Sequence, residues 1–171
     1  QGDLDGDNDR DISDLALLLS QFGSSGGTFS ADIDGDGDVD ISDLAAANGV
    51  TLPRHSSIPE PLPFGLAMDG YVLFLSRLVP EKGCHTLIEA YRGLQTNKKL
   101  VIVGPPSHSE NYAASLRKLA EGDDRILFAG ALFGEQKDAI YRGAYLFVLP
   151  STIEGMALVL LEAMSYGKGC L

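Results

Sequence analysis

YVLFLSRLVPEKGCHTLIEAYRGL, residues 71–94, is the stretch that decides the fold. YVLFLSR (71–77) is a short run of Val, Leu and Phe without helical spacing, whereas KGCHTLIEAYRGL (82–94) repeats its apolar residues at the period of a helix. The alternation then continues. KLVIVGP (99–105), ILFAG (126–130) and YLFVLPS (145–151) read as further strands, and ENYAASLRKLAEG (110–122) and GEQKDAIYRGA (134–144) as helices. STIEGMALVLLEAMSYG (151–167) reads as a last helix, apolar nearly all round. Strands that are apolar on both faces, with helices between them, predict a parallel α/β sheet of four strands.

Such sheets bind ligands at the carboxyl ends of their strands, and the chemistry-bearing residues fall there. Arg77 leaves the first strand and Lys82 enters the helix after it. PSTIEGM (150–156) leads from the fourth strand into the last helix, carrying Glu154, with Glu162 eight residues on. Helix N-termini offer free N–H groups and partial positive charge, and two cations beside them suit a diphosphate. The plain alternatives are that Arg77 and Lys82 are surface charges and Glu162 a satisfied core carboxylate. His85 reads as a packing residue rather than a base, and His55 and His108 have no metal-ligand companions.

Charge divides the chain elsewhere. The net charge of −11 lies wholly in the first 50 residues, which hold twelve Asp, no Glu and one base, Arg10. The remainder is balanced, and no basic stripe is present to track nucleic acid. DLDGDNDRDISDL (3–15) recurs as DIDGDGDVDISDL (32–44). Within a twelve-residue frame the carboxylates are Asp3, Asp5, Asp7, Asp9, Asp11 and Asp14, then Asp32, Asp34, Asp36, Asp38, Asp40 and Asp43. Alternating oxygen ligands in a tight loop, closed from the first helical turn, are what Ca²⁺ needs. Without a cation, six Asp in each loop would repel one another. The first loop is the less regular, with Asn8 where the second has Gly37 and Arg10 where the second has Val39.

SRLVPEKG (76–83), the Glu154–Glu162 pair and EGMALVLLEAMSYGK (154–168) together resemble the C-terminal, donor-binding domain of GT-B glycosyltransferases, most of all the retaining family 4, glycosyl transferases group 1. NGVTLP (48–53) is similar to the segment linking the two domains of that family. The resemblance implies that Arg77 and Lys82 hold the diphosphate of a nucleotide-sugar and Glu154 the sugar hydroxyls. It gives Glu162 the ribose, and the backbone amides of Gly155 and Met156 the phosphate or sugar oxygens. It implies no catalytic metal, because cations and helix termini offset the leaving-group charge. It also implies an acceptor domain, with a catalytic His or Asp, that these 171 residues do not include. The fragment is therefore expected to be inactive in hexosyl transfer, with no complete catalytic set and a sheet of four of about six strands whose edge is unpaired. In the closing YGKGCL, Gly169 stands where the family usually has Pro.

The Asp repeats resemble a dockerin module, EF-hand-like but with Asp rather than Glu at frame position 12. ISDLALLLSQFG (12–23) is its first helix, and the second is cut short by NGVTLP. The resemblance implies contacts to a cohesin-like partner through Ile12 and Ser13, and Ile41 and Ser42. The organisation read is a dockerin-like calcium module at 1–47, a linker at 48–70 and a Rossmann-like nucleotide-sugar domain at 71–171. The rival function is a calcium-dependent interaction module alone. Dockerins belong to secreted proteins and these transferases to the cytoplasm, so localisation stays open and a junction of two unrelated partial sequences is the simplest account. No apolar run reaches the roughly 20 residues of a membrane span. Cys84 and Cys170, 86 residues apart, form neither a metal spacing nor a disulfide framework and read as buried free thiols.

Overall fold

A computed structural model of the chain describes residues 4, 6, 12–27, 31–33, 38–39, 41–47, 62–106, 110–154 and 157–171. It divides into two compact units, Gln1–Arg54 and His55–Leu171. Among the described residues no helix is long and apolar enough to cross a membrane.

In the first unit, α1 (Ile12–Gln21) and α2 (Ile41–Ala47) begin at the same place in the repeated frame. Helices this short are marginal alone, so packing must hold them. Leu18, Ala31 and Val39 are fully buried, with Leu44 and Ala47 against them. Gly23, at φ +82°, ends α1 in the left-handed conformation that suits glycine. Its N–H donates to the Val39 carbonyl at 2.7 Å, beside an antiparallel bridge between Ser25 and Asp38. Asp43 is fully buried, and its Oδ1 accepts the Ile33 N–H at 2.6 Å.

The second unit is a parallel sheet with helices on both faces. Its strands are β1 (Tyr71–Leu75), β2 (Lys99–Val103), β3 (Ile126–Gly130), β4 (Leu146–Phe147) and β5 (Gly169–Cys170), in the order β3-β2-β1-β4-β5. Its helices are α3 (Cys84–Arg92), α4 (Glu110–Leu119), α5 (Gly134–Gly143) and α6 (Leu158–Ser165). Successive strand residues point to opposite faces, and the two cores follow that alternation. Leu73, Val101 and Val103 pack with Ile140, Tyr141 and Ala163 of α5 and α6. Phe74, Leu100 and Ile102 pack with Ile88, Tyr91 and Leu116 of α3 and α4. Each leucine, isoleucine, valine or phenylalanine among them contributes about 1.5–3 kcal/mol by leaving water.

Three sequence expectations are corrected. The sheet has five strands, not four. Leu146 and Phe147 pair in parallel with Gly169 and Cys170, and Leu149 N–H donates to the Leu171 carbonyl at 2.8 Å. The edge of β4 is therefore covered. A Gly–Cys dipeptide is too short and too small to announce itself as a strand.

The last helix starts at Leu158 rather than at 151, so Glu154 precedes it. The chain is drawn off the helical path where Ser151 N–H turns back to the Leu149 carbonyl and Thr152 N–H donates to that of Glu81. Finally, only Cys84 is buried; Cys170 is half-buried, and both are free thiols. Burial pushes the Cys84 thiol up to about 12.

Candidate binding cleft at the carboxyl edge of the sheet

Two glycines let the segments at this edge come together. Gly104 follows β2, and a Cβ on it would stand 1.8 Å from the Ser76 carbonyl oxygen. Gly83, in the left-handed region at φ +69°, would place a Cβ 2.0 Å from the Pro150 carbonyl oxygen. The turn before α3 can thus lie directly against the loop after β4. Below them Leu78 bridges Pro106, carrying the β1–β2 pairing past the ends of both strands.

The result is a cleft of about 480 Å³. Three cations, Arg77, Lys82 and Lys137, line it with Glu154, Phe133 and the first turn of α6 at Leu158. Lys82 lies in a short 3₁₀ turn (Pro80–Lys82) that leads through Gly83 into the N-terminus of α3. A second N-terminus, that of α6, faces the same space. The field of the site favours an anion.

The cations differ in what already holds them. Arg77 is exposed, and among the described residues its guanidinium makes no hydrogen bond or ion pair. Lys82 Nζ donates to Glu154 Oε1 at 2.6 Å, with side chains 16% and 27% exposed. That hydrogen bond holds the Glu154 carboxyl below its ordinary range. Lys137 Nζ donates to Glu162 Oε1, also at 2.6 Å. The other oxygen of Glu162 accepts the Tyr141 hydroxyl at 2.8 Å. Burial first, and then the Glu162 charge, push the Tyr141 hydroxyl far above the usual range.

The expected residues Arg77, Lys82 and Glu154 therefore meet in one cleft. Glu162 stands behind Lys137 rather than in the lining. Nothing in the sequence pattern singles out Lys137, Tyr141 or Phe133. Lys137 and Tyr141 sit four apart on one face of α5, but their partner is 25 and 21 residues further along the chain, a pairing no local pattern announces. Gly155 and Met156 lie outside the described residues. His85 Nδ1 meets the Tyr112 hydroxyl at 2.8 Å, tying α3 to α4 away from the cleft lining.

The calcium-loop expectation falls mostly outside the described residues. Of the twelve carboxylates only Asp32, Asp38 and Asp43 have side chains within them. Asp3, Asp5, Asp7, Asp9, Asp11, Asp34, Asp36 and Asp40 lie outside, as do the side chains of Asp14, Ile12, Ser13, Ile41 and Ser42. Among the described residues no three His, Cys, Asp or Glu gather as a metal ligand set.

Residues 65–171 match the family model described as Glycosyl transferases group 1. The D-inositol 3-phosphate glycosyltransferase of Acidothermus cellulolyticus is 32% identical over 115 residues, 60% of this chain and 26% of that protein. The lipopolysaccharide 1,2-N-acetylglucosaminetransferase of Salmonella typhimurium is 33% identical over 117 residues, 62% of this chain and 31% of that protein. The chain thus spans about a quarter to a third of these relatives. Among solved structures, the C-terminal domain of a glycosyl transferase group 1 family protein from Francisella tularensis superposes with a TM-score of 0.55 at 21% identity, over 61% of this chain and 58% of that domain.

Proposed function

The chain belongs to the glycosyl transferases group 1 family, and from that premise we propose that residues 71–171 hold the donor, a nucleotide-diphosphate sugar, for retaining hexosyl transfer. One observation carries the reading: a guanidinium with no partner among the described residues and a helix-flanking lysine line one cleft at the carboxyl edge of the sheet. Arg77 takes the diphosphate in bidentate fashion. The diphosphate also competes with Glu154 for Lys82, and the released carboxylate turns to the sugar hydroxyls. Glu162 takes the ribose, and the amides of Gly155 and Met156 face the phosphate or sugar oxygens. As the donor bond breaks, charge grows on the diphosphate. Arg77, Lys82 and the two helix termini are already oriented to meet it.

Calorimetric titration with uridine or guanosine diphosphate tests this. The 171-residue chain is expected to bind, and Arg77→Ala to weaken binding at least tenfold, as loss of a charged hydrogen bond of about 1.5–3 kcal/mol requires. Unchanged affinity in that variant would sink the reading. By itself the polypeptide holds donor without passing the sugar on, and sugar transfer by the purified chain would refute that part.

A second reading concerns residues 1–47. The observation favouring it is that α1 and α2 open at the same position of two Asp-rich frames 29 residues apart. The donor set is all carboxylate oxygen in alternation, which suits Ca²⁺. Asp3, Asp5, Asp7, Asp9, Asp11 and Asp14 would hold one ion, and Asp32, Asp34, Asp36, Asp38, Asp40 and Asp43 the other. A cohesin-like partner would then dock on Ile12, Ser13, Ile41 and Ser42.

A further inference from the structure

Glu162, on α6, is a carboxylate only 13% exposed that faces α5. Withdrawing such a group from water is costly unless it is paired and hydrogen-bonded. Both its oxygens are taken by α5: Oε1 by Lys137 at 2.6 Å and Oε2 by Tyr141 at 2.8 Å. The two donors stand four residues apart, hence on one helix face.

Tyr141 is fully buried. Its ring stacks on Tyr166 at 5.1 Å and 9° and packs on Phe147 at 6.0 Å. Tyr166 is in turn tethered by its hydroxyl to Asp138 at 2.7 Å. The Tyr141 hydroxyl also lies 3.2 Å from the Val159 carbonyl. It has nowhere else to go. Lys137, by contrast, is 28% exposed and lines the cleft.

We propose that Lys137 and Tyr141 are positioning residues that clamp one Glu162 oxygen each and so aim its remaining lone pairs at a vicinal diol. This rests on the donor reading above. A carboxylate has about four acceptor sites, so two stay free after both clamps are made. Two neighbouring hydroxyls of a ribose are the fitting occupant. The phosphate-binding part of the cleft, Arg77 and Lys82, is not touched by the clamp.

The test uses the 171-residue chain, its Tyr141→Phe, Lys137→Met and Lys137→Arg variants, and three probes in calorimetry. These are the tighter of uridine and guanosine diphosphate, its 2′-deoxy form, and inorganic pyrophosphate. The parent chain is expected to prefer the ribose form roughly tenfold, the size of one hydrogen bond to a charged group. Tyr141→Phe and Lys137→Met are expected to cut that preference to about twofold or less, while Lys137→Arg keeps most of it. Pyrophosphate affinity should stay level in Tyr141→Phe, which leaves every cation of the cleft in place. Each preference is a ratio within one variant, so any unfolded fraction cancels.

A preference that survives in both Tyr141→Phe and Lys137→Met overturns the clamp and leaves the donor reading standing. A parallel loss of pyrophosphate affinity in Tyr141→Phe also overturns it, because the hydroxyl then acts on more than the ribose contact. A parent chain that binds neither nucleotide, or ignores the 2′-hydroxyl, removes the assignment of Glu162 and the clamp with it.

Discussion

Glu154 shows how one contact sets a pH dependence. The Lys82 hydrogen bond lowers its pKa in the folded state from 4.5. A carboxylate lowered in this way contributes stability that is complete above its unfolded pKa. That contribution is lost as pH falls through the folded value. Thermal midpoints of the parent chain and Glu154→Gln should therefore differ near neutral pH and converge as pH drops below the ordinary carboxylate range. With the Glu154 side chain 27% exposed, solvent and salt screen the pair, so the difference should also shrink in about 1 M salt. A gap that stays constant with pH would show that the pair is not its source. Gly104 is the sharper case, because a methyl 1.8 Å from the Ser76 oxygen can be housed only by parting the ends of β1 and β2. Gly104→Ala should cost at least about 1–3 kcal/mol in urea unfolding and weaken nucleotide binding together with it.

The strands differ in how much of their neighbours they carry. Leu73 lies on the central strand, fully buried, and Leu73→Ala should lose about 2–5 kcal/mol. Leu158, at the exposed start of α6, is 44% exposed, and its alanine variant should stay within about 0.5 kcal/mol of the parent chain. Equal losses at the two positions would contradict the layering. The same contrast explains what could be read from sequence. β1 and β2 were legible because strands covered on both faces must be apolar throughout, as Leu100 to Val103 are. Arg77, Lys82 and Glu154 were legible because strand ends and turns place them locally. β5 was not, since a glycine and a cysteine become a strand only by pairing with Leu146 and Phe147. The true start of α6 was hidden too, because a tertiary hydrogen bond from Thr152 to Glu81 overrides a helical pattern. Lys137 and Tyr141 looked like ordinary helix residues until the fold brought Glu162 to them.

At the scale of the whole molecule, the acidic third and the balanced remainder fall largely into separate compact units, Gln1–Arg54 and His55–Leu171. A unit of some 50 residues with helices of ten and seven residues is small enough to be marginal alone and to gain from a further source of stability. Binding to the folded state supplies one: an ion at about 100 times its dissociation constant adds about 2.7 kcal/mol. If the Asp frames hold calcium, millimolar Ca²⁺ should raise the melting midpoint of the helices in residues 1–54, followed by far-UV circular dichroism. A chelator should reverse it. The second unit uses none of those carboxylates, and its nucleotide affinity should be the same with calcium or chelator. Asp34→Ala with Asp36→Ala should remove the calcium response and leave nucleotide binding intact. Calcium-dependent nucleotide affinity would mean that the two units are coupled, and the acidic frames would then have to be counted as part of the donor site's energetics.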